Sequence, residues 1–173
     1  MKKIFVLVFI AIFIFSCNCE EKSIKKVVVS VEKDNLNKVL DSWHLNAAET
    51  NFEAYFGAMT SESVFIGTDA AEVWNVQQFK DFSKPYFDKG SAWSFTSIDR
   101  NVYLNSDGKI AWFDELLDTW MGVCRGSGVL KKSGNIWKIE HYVLSVTVPN
   151  DNIQAVMKVN KEKDSLFLKN YRK

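Results

Sequence analysis

Residues 64–82, VFIGTDAAEVWNVQQFKDF, change character halfway along. An apolar run, Val64 to Ile66, reads as a strand that breaks at Gly67. Asp69, Glu72 and Trp74 follow, and Val76 to Phe87 then takes up a helical period with Phe79, Phe82 and Phe87 on one side. Two carboxylates and an indole therefore occupy the short connection between a strand and a helix. Just ahead of a helix, carboxylates either satisfy its free N–H groups and positive dipole end or face a cavity. Trp74 is, by the same choice, a cavity wall or a core residue. Pro85 is expected to end or bend the helix.

Working outward, the preceding segment is helical. Val31 to Ala48 carries Leu36, Val39, Leu40, Trp43 and Ala47 at spacings of three and four, an amphipathic helix that Ser30 or Asp34 would cap. Glu49 to Met59 reads as a second short helix with Phe52, Tyr55 and Phe56 on one side. The segment that follows is strand-like, in four stretches at 91–104, 109–120, 122–132 and 135–148. Asn105-Ser-Asp-Gly108 and Lys132-Ser-Gly-Asn135 supply turn chemistry between the first pair and the last pair. Gly122, Gly126 and Gly128 mark places where a long strand can bend. Helices first and long strands after is an α+β order. The predicted architecture is a cone-shaped, curved antiparallel sheet closed by the N-terminal helices. Residues 150–173 are amphipathic and then basic, a helical or frayed tail.

The start of the chain reads as an address. Lys2 and Lys3 precede an apolar run from Ile4 to Phe15. That run falls short of the roughly 20 residues a membrane span needs and fits a secretory signal peptide. Ser16-Cys17, with Ile14 at minus three, resembles the lipobox of bacterial lipoproteins, although Phe15 is bulkier than the usual residue at minus two. The resemblance implies cleavage after residue 16 and acylation of Cys17. It also implies a membrane anchor in the bacterial cell envelope, with residues 17–30 as tether. The alternative is an ordinary secreted protein cut nearby. The full chain has 22 basic and 21 acidic residues; without Lys2 and Lys3 this becomes 20 against 21, a net charge of −1. No basic excess points to nucleic acid. Once Cys17 is acylated, Cys19 and Cys124 remain, one in the tether and one in the domain, which argues against a structural disulfide. Cys124 reads as a small buried residue.

Gly67-Thr-Asp69, Glu72 and Trp74, with Arg125-Gly-Ser-Gly-Val-Leu130 and Trp137-Lys-Ile-Glu-His141 further on, resemble the signature of SnoaL-like proteins in the nuclear transport factor 2-like superfamily. The resemblance spans about residues 32–149, so the SnoaL-like domain is drawn at 31–149. Two positions depart from the pattern. Val76 stands where the family commonly has glycine, and Val143 where it often has a second histidine, which removes a possible metal-ligand pair. The resemblance implies a cone whose mouth is formed partly by the Gly67–Trp74 connection, and a homodimer paired through the sheet.

Strand alternation places Val123, Arg125, Ser127 and Val129 on one face, and Trp137, Ile139, His141, Val143 and Ser145 on another. A cation on an apolar row needs a partner, which Asp69, Asp114 or Glu115 can supply. Asp114 and Glu115 are adjacent and point to opposite faces, so they form no dyad. A His141–carboxylate pair can serve as a general base, orient a ligand, or simply support the sheet. The candidate catalytic residues are Asp69 and His141. The candidate ligand-binding residues are Trp43, Trp74, Trp93, Trp112, Arg125 and Glu72. His44, beside Trp43, reads as a surface residue or as core packing. No phosphate-cradling loop, zinc spacing or nucleophile elbow is present, so no cofactor or metal is implied. Three functions follow: a lipid-anchored module binding a small apolar molecule, a cofactor-free isomerase, cyclase or hydrolase, and a homo-oligomeric association domain.

Overall fold

The computed structural model describes residues 29–172. The expected signal peptide, most of the tether, Cys17 and Cys19 lie outside the described residues. Helix α1 (residues 29–48) buries Leu36, Leu40, Trp43 and Ala47, the stripe that its three-and-four spacing predicts. Helix α2 (Phe52–Gly57) is capped by Asn51, whose side chain accepts from the Ala54 N–H. It is shorter than expected because the chain has already turned into strand β1 (Met59–Ile66) by Met59.

β1 ends before Gly67, and the chain returns on it as the short antiparallel strand β2 (Val73–Asn75). Helix α3 (Val76–Asp88) starts only then. Asn75 and Gln78 cap it reciprocally, each side chain accepting from the other's backbone N–H. Asp69 and Glu72 therefore do not cap α3, since β2 intervenes. The helix also continues through Pro85 to Asp88.

Strands β3 (Thr96–Leu104), β4 (Ile110–Thr119), β5 (Gly122–Ser133) and β6 (Ile136–Val146) form an antiparallel meander. β1 adds to β6 in parallel, so the six-stranded sheet is mixed, with order β2-β1-β6-β5-β4-β3. Its edge strands β2 and β3 do not pair, and the sheet stays open. Residues 91–95, expected in the first long strand, form an irregular connection that carries Trp93 and Phe95.

The inner face of the sheet packs on the helices through an aromatic core. Trp43 stacks on Tyr55 with ring centroids 4.9 Å apart, Phe65 stacks on Phe79 at 3.9 Å, and Tyr142 meets Trp43 edge-on at 4.8 Å. Gly126 and Gly128 leave room for their neighbours rather than merely bending β5. A Cβ on Gly126 would lie 2.3 Å from the Tyr142 hydroxyl oxygen, and one on Gly128 would lie 2.4 Å from the His141 carbonyl oxygen.

One irregularity re-sorts the faces of β6. Val129 pairs with His141 and Leu130 with Ile139, so Glu140 is an extra residue in the ladder. A bulge of one residue shifts every later side chain to the opposite face. Trp137 and Ile139 point into the core; beyond the bulge Tyr142 and Leu144 do so instead. His141, Val143 and Ser145 consequently stand on the outer face. Glu140 is held by the Thr60 hydroxyl, which donates to it at 2.7 Å, and by Lys131 at 3.7 Å. After β6 a 3-10 turn leads into helix α4 (Ile153–Leu168), which contains no buried residue.

Candidate functional site

The β1–β2 loop, α3, the 91–95 connection and the β4–β5 turn converge on a cleft of about 150 Å³. Its walls are Phe65, Trp74, Phe79, Phe82, Trp93, Phe95, Trp120, Met121 and Leu144, with Gly67, Thr68 and Glu72 at one side. Trp74 stacks on Phe82 at 4.4 Å and on Phe79 at 5.7 Å, which fixes one wall. Trp120 sits in the two-residue turn between Thr119 and Gly122, where the Thr119 hydroxyl accepts from the Met121 N–H at 3.0 Å and donates to the Gly122 carbonyl at 2.8 Å. Trp120 is 81% exposed.

The loop between β1 and β2 is organised by its own carboxylates. Asp69 accepts from the Ala71 N–H at 2.8 Å, and Glu72 accepts from the Asp69 N–H at 3.1 Å. Gly67 is required at the strand end because a Cβ there would lie 2.3 Å from the Glu72 carboxylate oxygen Oε2. Asp69 is exposed and committed to its turn, whereas Glu72 is half-buried and lines the cleft.

Behind the cleft lies a buried polar cluster. His44 Nε2 and Glu115 Oε1 are 2.9 Å apart, and the Tyr142 hydroxyl donates to the same oxygen at 3.1 Å. Arg100 Nε donates to Glu115 Oε2 at 2.9 Å, while its Nη1 reaches Asp41 at 2.6 Å and the Asn37 carbonyl at 3.3 Å. Burial pushes the Glu115 carboxyl up, but the hydrogen bond and charge of His44 and the charge of Arg100 outweigh it and hold the pKa below the ordinary value. Burial, reinforced by the Glu115 charge, raises the Tyr142 phenol well above its ordinary value, so it stays a neutral donor. The small space among Trp43, His44, Tyr55, Phe65, Trp93, Phe95 and Tyr142 has no room for a water molecule. Phe65, Trp93 and Phe95 line both this space and the cleft, and they separate the cluster from it. Among the described residues no group of three or more His, Cys, Asp or Glu is placed to hold a metal ion, and no helix is long and apolar enough to cross a membrane.

A family model for the SnoaL-like domain matches residues 36–149. The chain belongs to the SnoaL-like family. No curated protein matches its sequence. Solved structures share the nuclear transport factor 2-like α+β fold, helices against an open curved sheet. A protein of unknown function from Pseudomonas putida KT2440 is similar with a TM-score of 0.59 at 11% identity, over 71% of this chain and 92% of that one. The association domain of the C. elegans calmodulin-dependent kinase CaMKII is similar with a TM-score of 0.56 at 17% identity, over 68% and 97%. A protein of unknown function from Shewanella oneidensis MR-1 is similar with a TM-score of 0.52 at 13% identity, over 66% and 98%.

Within this SnoaL-like domain the residues singled out from sequence separate into groups. Glu72, Trp74 and Trp93 meet at the cleft. Trp43 is buried behind it, beside the polar cluster. Asp69 faces solvent in its loop. Trp112, Arg125 and His141 lie on the outer face of the sheet, where Trp112 stacks on Tyr103 at 5.8 Å and Arg125 approaches Asp114 at 3.7 Å. No hydrogen bond joins Asp69 to His141 among the described residues. The bulge at Glu140 is the physical reason His141 leaves the inner face. Sequence reading missed Arg100 and Tyr142 and took His44 for a surface residue or core packing. Each nevertheless sits on an apolar inward row: His44 falls on the Leu40–Ala47 stripe of α1, Arg100 alternates with Val102, and Tyr142 with Leu144.

Proposed function

We propose that this SnoaL-like domain is a lipid-anchored binding module of the bacterial cell envelope that holds a small, mainly apolar molecule in the cleft beside Trp74. The observation that carries the reading is the cleft itself: concave, aromatic-walled, and supplied with one polar anchor, as small-molecule sites are. The only histidine–carboxylate pair among the described residues lies behind Phe65, Trp93 and Phe95 with no room for a water, which favours binding over proton-transfer chemistry. Its role is support of the fold. A small apolar alcohol should raise the Tm of the purified protein. Thr68→Trp, which fills the cleft from an exposed position, should abolish the rise; an undiminished rise would contradict the reading.

The anchor rests on the charged start, apolar run and Ser16-Cys17 pair. Two or more acyl chains hold a protein on a membrane where one does not. Cys17→Ala should abolish incorporation of labelled palmitate and release the protein from the membrane fraction. Retained label would refute it.

A second reading, homodimerisation, is favoured by the outer face of the sheet. Tyr103 and Trp112 stack there with both side chains exposed, an apolar pair that a partner surface would cover. Pairing through this face and binding in the cleft are compatible, because they use opposite faces of the sheet.

A further inference from the structure

We infer that the cleft is built for an organic cation, an amine or quaternary ammonium group seated between Glu72 and the Trp74, Trp93 and Trp120 rings, with an apolar body attached. The inference rests on the binding reading above and specifies its ligand. Glu72 is the only ionisable residue among those lining the cleft. No Lys, Arg or His forms an ion pair with it among the described residues. Its carboxylate accepts one hydrogen bond, from the Asp69 backbone N–H at 3.1 Å. A neutral ligand filling the cleft would strip water from this carboxylate and return nothing for the charge, which is unfavourable. An anion would meet it with repulsion. A cation neutralises it and also gains the aromatic surroundings, above all the Trp120 indole, which stacks on no other ring among the described residues.

Two further features fit the same occupant. Gly67 keeps open the space that the Glu72 carboxylate occupies, so the strand end is shaped around that charge. Trp120 holds an exposed indole at the rim on a tight turn, where it can close over a bound group. Size sets the head group: an apolar cavity of about 150 Å³ accommodates benzene, and a trimethylammonium group is of that class. The cleft continues past Phe82, Trp93 and Trp120 into an open groove of about 480 Å³ with no charged residue. That groove fits an uncharged, apolar remainder of the ligand.

The test compares choline with its neutral carbon isostere, 3,3-dimethylbutan-1-ol, titrated into the purified protein with calorimetric readout. Choline should bind about tenfold tighter or better, as expected for a desolvated cation over aromatic faces. Glu72→Gln keeps an oxygen that accepts the Asp69 N–H and removes only the charge; it should erase the preference, weakening choline and strengthening the alcohol, whose binding no longer strips water from a carboxylate. Trp120→Leu provides an independent arm, since that exposed indole does not hold the core, and it should weaken choline more than the alcohol. Equal affinity for the two compounds would overturn the cation assignment and leave the binding reading standing. A preference that survives both substitutions would overturn the assignment to this cleft. Binding of neither compound would overturn both readings.

Discussion

His44 and Glu115 meet at 2.9 Å in the interior although 71 positions separate them in the chain. One comes from α1 and the other from β4, so their pairing fixes the first helix against the strand next to the β3 edge of the sheet. Arg100 extends the contact to β3 and Tyr142 to β6. Four elements thus share one carboxylate, and Gly126 clears the space in which Tyr142 and Glu115 approach.

Removing that carboxylate leaves His44, the Tyr142 hydroxyl and the Arg100 Nε without their shared buried partner. Glu115→Ala should destabilise the fold by about 3–5 kcal/mol, the range for breaking a buried ion pair by deleting one partner. Urea unfolding followed by tryptophan fluorescence measures it. A loss under about 1 kcal/mol, the level of a surface ion pair, would mean the cluster is not structural.

The same group predicts acid sensitivity with a definite sign. The folded pKa of Glu115 lies below the ordinary value of 4.5. Its contribution is therefore complete above about that pH and is lost as pH falls through the lower folded value. Glu32 adds to the effect, since Lys132 and Trp137, which donate to it at 2.7 and 2.8 Å, hold its pKa down as well. Stability plotted against pH should fall below this window, and the fall should be shallower in Glu115→Gln. An unchanged slope in that variant would assign the acid sensitivity elsewhere.

The helical and strand periods of the sequence carry most of the fold. The α1 stripe, the hairpin turns and the last three long strands lie where spacing puts them, while the first of the four begins only at Thr96. What alternation could not foresee is the bulge at Glu140, because one inserted residue leaves the local composition of β6 unchanged and reverses the faces after it. Alternation alone therefore puts His141, Val143 and Ser145 on the face of Trp137 and Ile139, and the bulge turns them outward. The polar cluster was legible in principle. His44, Arg100 and Glu115 each interrupt an apolar inward row, and three such interruptions on three elements imply mutual satisfaction. The cleft was partly legible through Glu72 and Trp74. Trp120 was hidden at a turn whose only signal was Gly122, which adopts φ +88°.

The outer face gives the third prediction. Trp112→Asp breaks the exposed stack with Tyr103 and places a charge on that face. If copies of the chain pair through this face, sedimentation of the acyl-free protein should show a dimer that the substitution converts to monomer without altering the thermal unfolding of the monomer. A wild-type monomer at all accessible concentrations would contradict the pairing.

The most direct measurement of the central claim uses the protein's six tryptophans. Their indole N–H resonances can be followed individually by NMR while 3,3-dimethylbutan-1-ol or choline is added. If the cleft is the binding site, the signals of Trp74, Trp93 and Trp120 shift in a saturable way, and those of Trp112 on the outer face and Trp137 beside Glu32 stay in place. Saturable shifts at Trp112 with Trp74 and Trp93 unmoved would place binding on the outer face and contradict the account.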